Sequence, residues 1–189
     1  MKKNLRTLIV ISFLIIVGCV TNNSTQTKQG YSDLNGAPKW VAAPGMEGGF
    51  SAVGSDKIGA AGINFAKTNA VAFARDELAR SMQVKVKNFI KNYVNSTGVG
   101  SDETVDRVST QTSKQVASQV LNGSQHINTW VSPSGVLYAL VVIEPQKLKK
   151  SVKESSRSSF KNDDALWQRF QADQSFKELE EEVDKLFGE

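Results

Sequence analysis

The chain has 189 residues, 40% hydrophobic and 22% charged, a composition that excludes disorder throughout and, once a leader and a tail are set aside, suits one domain of roughly 100–150 residues. Its net charge of +4 and pI of about 9.1 invite a nucleic-acid reading. Lys2, Lys3 and Arg6 all precede the first apolar run, however, and taking these three from the 23 basic residues leaves 20 against 19 acidic ones, too even a balance to gather phosphates.

Residues 1–18 read as a signal peptide. "MKKNLRT" is a positive n-region, and "LIVISFLIIV" is an apolar segment of about ten residues, the length of an h-region and short of the ~20 that span a bilayer. Ile16, Val17 and Gly18 then precede Cys19 in the order of a bacterial lipobox. The chemistry needs a thiol at the membrane surface that can carry diacylglycerol through a thioether, and a small residue before it so that a peptidase reaches the bond. Cleavage makes Cys19 the first residue, free to take a further acyl chain on its amino group; buried chains at ~0.8 kcal/mol per methylene hold a protein firmly on a membrane. The competing readings of Cys19 are a buried core thiol and a catalytic nucleophile. The export-signal flanks argue against the first, and the single histidine, His126, more than a hundred residues away, argues against the second.

Residues 19–37 are polar and aperiodic, a lipidated tether reaching roughly 20–25 Å. The folded part opens near Pro38 and Trp40, expected as an extended entry with one apolar anchor. Gly48 and Gly49 mark a turn, and Phe50, Ala52 and Gly54 take alternate positions of a short strand with Val53 facing the other way. No phosphate-loop or dinucleotide fingerprint accompanies these glycines.

From Asn64, apolar residues recur every three or four positions through Tyr93, predicting a helix roughly 40 Å long. Val84 and Val86 alternate with lysines and leave a strand open as the alternative there. Turn formers follow, and Val105, Val108, Thr112, Val116 and Val120 mark a return helix ended by Gly123. "SQHINTWV" and "VLYALVVI" flank "SPSG" as a hairpin, with Ile127 sharing a face with Thr129 and Trp130 opposite. Apolarity on both faces of Val136–Ile143 makes that strand central. Pro145 starts another helix with Leu148 and Val152 inward; the serines of "SSRSS" are expected to weaken it before "NDDALWQRF" restarts it. Leu166, Phe170, Phe176, Leu179, Val183 and Leu186 mark a carboxy-terminal amphipathic helix. The fold class is therefore α+β: a long amphipathic helix, or helical hairpin, on an antiparallel sheet of about three strands, with a carboxy-terminal helix.

No catalytic or metal-binding constellation emerges. His126 has no second His or Cys to complete a metal site, and Asp76 and Glu77 point about 100° apart on their helix. Asp163 and Asp164 suit a cap of the final helix, and Glu180–Glu182 a solvated face on which Glu181 can pair with Lys185. Arg75 is expected to bridge to a carboxylate from the hairpin in preference to binding an anion. Trp40, Trp130 and Trp167 read as core anchors ahead of stacking platforms.

The lipobox, Pro38-x-Trp40, Phe50-Ser51-Ala52-Val53-Gly54, Ala70-x-x-x-Ala74-Arg75-x-x-Leu78-Ala79, Leu121-x-Gly123, Trp130 and Gly135-x-x-Tyr138-Ala139-Leu140-Val141 together resemble the Lpp-twenty lipoprotein family. The resemblance gives residues 38–145 as an Lpp-twenty-like domain and 146–189 as a helical extension. It implies a non-enzymatic lipoprotein of the Gram-negative envelope, with Cys19 carrying palmitate or similar acyl chains, no cofactor and no metal. Val20 after the cysteine favours the outer membrane, with the periplasmic and surface sides both open. Expected partners are the membrane through Cys19 and other proteins, or further copies of the chain, in structures that include flagellum-associated ones; nucleic acid is not among them. The alternative is a periplasmic-face binding protein for a small ligand or peptidoglycan.

Overall fold

The computed structural model describes residues 33–45, 50–98, 100–171 and 175–187. The leader, the lipobox with Cys19, most of the tether and the Gly48–Gly49 turn lie outside the described residues, as does the Phe176 side chain.

The described elements are α1 (Lys39–Ala42), β1 (Phe50–Lys57), α2 (Ile63–Thr97), α3 (Asp102–Gly123), β2 (Gln125–Val131), β3 (Val136–Ile143), α4 (Pro145–Lys161), α5 (Asp164–Gln171) and α6 (Ser175–Leu186). This is the expected α+β class. Residues 36–189 form one compact unit.

The sheet has the order β1-β3-β2, antiparallel throughout, with β3 central as its two apolar faces require. Leu137, Ala139, Val141 and Ile143 point into the helical layer and are buried, while Leu140 is buried on the opposite face. The β2–β3 turn closes through the Gly135 N–H to the Ser132 carbonyl at 3.0 Å, with Gly135 at φ +81°, where a side chain would be strained. A bulge between His126 and Asn128 puts β2 out of simple alternation, so His126 and not Ile127 shares a face with Thr129. The His126 ring nitrogen Nε2 lies 2.8 Å from Thr129 Oγ1 as a result.

The long helix α2 runs unbroken through Val84 and Val86, and its 35 residues span about 52 Å, longer than the expected 40 Å. Ala66, Ala70, Ala74, Leu78, Met82, Val86, Ile90 and Val94 are buried at every fourth position. Four residues overshoot one turn by about 40°, so the buried stripe winds round the helix. Its early alanines meet Leu137 and Ala139 of the sheet; its later residues join a core shared with α3 and the carboxy-terminal helices. Gly54 brings the sheet flush with α2, since a Cβ there would lie 2.2 Å from the Ala70 carbonyl oxygen.

The helix α3 starts at Ser101, whose Oγ accepts the Thr104 N–H, with Asp102 and Glu103 in the first turn to complement the helix dipole. It buries the expected Val105, Val108, Thr112, Val116 and Val120, and also Ser109 and Ser113.

Two expectations fail on either side of these elements. Pro38 precedes a single helical turn, with Val41 N–H donating to the Pro38 carbonyl at 3.0 Å, and Trp40 is only half-buried. The serines of α4 do not break it: the helix continues to Lys161, and Ser151, Ser155, Ser156 and Ser159 are buried. Their small side chains let α4 approach α3, and Ser151 and Ser156 satisfy their hydroxyls by donating to carbonyls one turn back, at 2.9 and 2.7 Å.

The carboxy-terminal segment is two helices beyond α4, and Asp163 caps α5 by accepting the Leu166 N–H at 3.1 Å. Leu166, Phe170, Leu179 and Val183 are buried as expected, but Leu186 is 38% exposed and Phe187 takes its place inside. The Phe187 N–H still donates to the Val183 carbonyl at 3.0 Å, so Phe187 continues the stripe of Leu179 and Val183 at every fourth position, and Leu186 falls to its side. Phe50, Phe187, Phe89, Tyr93, Phe170 and Phe160 then form a run of rings with successive centroids 4.4–6.3 Å apart, tying β1, the end of the chain, α2, α5 and α4 together. The helices α4, α5 and α6, with Phe187, thus help to build the core that the sheet and α2 begin.

Candidate functional site

The side chains singled out as chemical candidates lie apart. His126 sits on edge strand β2, Asp76 and Glu77 are exposed on α2, and Glu77 pairs with Arg80 at 3.2 Å. Among the described residues no group of three or more His, Cys, Asp or Glu side chains is arranged to hold a metal ion. Arg75 does not find the expected carboxylate. The hairpin strands contain no Asp or Glu, Glu144 just beyond them pairs with Lys147, and the Arg75 Nε is buried without a hydrogen-bond partner.

Asp163 does more than cap α5. It also accepts Arg107 at 2.7 Å, fastening α3 to the carboxy-terminal helices. The acidic face of α6 is only partly solvated: Glu180 pairs with Arg157, and Asp184 takes both Lys153 at 3.1 Å and Lys149 at 3.7 Å. The three pairs that form are therefore across helices, where Glu181–Lys185 is the pair expected within one. A groove of about 350 Å³ between α4 and α6 is lined by these charged residues.

Trp130 rests on Tyr138 on the sheet face away from α2, with ring centroids 5.5 Å apart, and Lys161 lies over Trp167 at 5.1 Å. Lys85 stands over the Phe50 and Phe187 rings at 4.6 and 5.1 Å, and burial pushes its pKa down. Tyr93 is pushed up to about 12, first by burial and then by the carboxylates of Glu178 and Glu182.

The open features are the sheet edges. Neither β1 nor β2 has a strand beyond it among the described residues. Along β1 runs an open groove of about 390 Å³, with Val41 and Pro44 on one wall, Glu77 and Ser81 of α2 on the other, and Val53 and Tyr138 on its floor. Along β2, Ile127 and Val131 are exposed at 40% and 39%, with Leu121 at 39% at the end of α3. Sequence reading located both strands but not the groove, which depends on how closely Gly54 draws α2 to the sheet.

The family pattern of the LPP20 lipoprotein matches residues 38–144, more than half of the chain. The chain belongs to the LPP20 lipoprotein family. As an LPP20 lipoprotein it is an envelope protein attached to a membrane through lipid. The match spans α1 to the end of β3 and stops one residue before α4. No curated protein matches the chain. Among the described residues no helix is long and apolar enough to cross a membrane.

Proposed function

We infer that this LPP20 lipoprotein is a non-enzymatic module, fixed to the outer membrane by acyl chains on Cys19 after cleavage behind Ile16, Val17 and Gly18, and that it works by protein contact within an envelope assembly such as a flagellum-associated one. The observation that carries the contact reading is the pair of sheet edges without a neighbouring strand among the described residues, with an open, not enclosed, groove along β1. The dispersal of the titratable candidates supports the non-enzymatic part.

Membrane fractionation with intact-mass measurement of wild type and Cys19→Ser tests the anchor. Wild type should carry the mass of acyl chains and sediment with the outer membrane, and the variant should lose both. An unchanged mass with the leader removed defeats the reading. Crosslinking of the acylated protein in intact cells tests the contact half; turnover of a substrate by the purified chain would overturn it.

A further inference from the structure

We propose that the free edge of β1 takes an extended peptide of a partner protein as a fourth strand of the sheet; the inference rests on the contact reading above and names the chemistry of the contact. The phase of the ladder is set by the Ile58 N–H, which donates to the Gly135 carbonyl at 2.9 Å. Counting back along the register, Asp56, Gly54 and Ala52 direct their N–H and C=O groups to β3. Ser51, Val53 and Ser55 therefore direct theirs outward, three donors and three acceptors in a row that no described strand answers. Asp56 Oδ1 accepts the Lys57 N–H at 2.9 Å, which closes the row at that end.

The groove is built around this row. Gly54 lets α2 lie against β1, so Glu77 and Ser81 stand beside the edge on the helical side, and Val41 and Pro44 stand on the other. An added strand has alternate side chains against Val53 and Tyr138 on one face, and against Glu77 and Ser81 on the other. That selects an extended segment with apolar residues at every second position. The opposite edge is guarded. The β2 bulge at His126–Asn128 breaks its register, a device that blocks edge pairing, while the eight residues of β1 pair with β3 without a bulge.

The test uses the full chain in detergent, selected against a phage-displayed library of random ten-residue peptides. Recovered peptides should alternate apolar residues, and should slow amide exchange at Ser51, Val53 and Ser55. Val53→Pro removes only an outward N–H and leaves the β1–β3 ladder whole; it should weaken binding at least tenfold by fluorescence anisotropy. Val131→Pro, the matching change on β2, should leave binding unchanged. Ser55→Lys places a charge at the edge without touching the backbone, and should weaken binding similarly even if Val53→Pro fails to fold. Failure to select any binder, binding indifferent to Ser55→Lys, or self-association of the chain through β1 without peptide overturns the proposal, the last by making the occupant a second copy. None of these readouts depends on Cys19 or on turnover, so failure here is separable from failure of the anchored-module reading.

Discussion

Gly54 and Ala70 touch backbone to backbone: a Cβ on Gly54 would stand 2.2 Å from the Ala70 carbonyl oxygen and 2.4 Å from the Ala74 nitrogen. Both obstacles are main chain within the first third of a 35-residue helix, so no side-chain rotation relieves the clash. Gly54→Ala should destabilise the fold by about 1–3 kcal/mol or more, the cost of overpacking, measured as a lower urea midpoint at unchanged slope. An unaltered midpoint would mean that α2 can lift from the sheet freely.

The ring stack gives a second expectation. Phe170 is buried between Phe160 at 4.4 Å and Tyr93 at 5.9 Å, whereas Leu186 is 38% exposed at the end of α6. Phe170→Ala should cost about 3–5 kcal/mol, as large-to-small changes in a core do, and Leu186→Ala much less. Thermal unfolding of the two variants side by side checks the assignment, because the periodicity of the sequence alone treats both as core.

Tyr93 links stability to pH. Its folded pKa is raised from 10.0 to about 12 by burial and by Glu178 and Glu182, so the folded state holds the phenolic proton more tightly than the unfolded chain. The contribution is complete below pH 10 and is lost as pH rises from about 10 through about 12. Tyr93→Phe should remove that part of the alkaline decline, and the difference between wild-type and variant stability across pH 9–12 isolates it from the lysines. Parallel curves would contradict the burial of the hydroxyl.

A fourth expectation concerns the serine and threonine seam between α3 and α4. Thr112 is fully buried and its Oγ1 has no hydrogen-bond partner, while Ser156 donates to the Val152 carbonyl at 2.7 Å. Thr112→Val keeps the shape and removes a desolvated hydroxyl, so it should stabilise the protein by about 1 kcal/mol. Ser156→Ala removes a satisfied hydroxyl and should not stabilise it. Urea unfolding of both variants distinguishes a polar seam tolerated for close packing from one that contributes stability.

Local periodicity in the sequence determined the long helix, its return partner, the hairpin and the central place of β3, because amphipathic repeats and turn residues act over a few positions and need no distant partner. The order of charged, apolar and lipobox residues around Cys19 likewise needs only neighbours in the chain to be read. What lay outside that range was decided by packing. The serines of α4 stay helical because α3 lies against them, Phe187 takes the place expected of Leu186 because the packed stripe runs at four-residue spacing from Leu179 and Val183, and the bulge in β2 reassigns Ile127. The groove at β1 comes from contact between Gly54 and a helix that begins nine residues later and that no local pattern aligns with it. Side-chain hydrophobicity repeats along one dimension; the distance at which two backbones come to rest is a property of three.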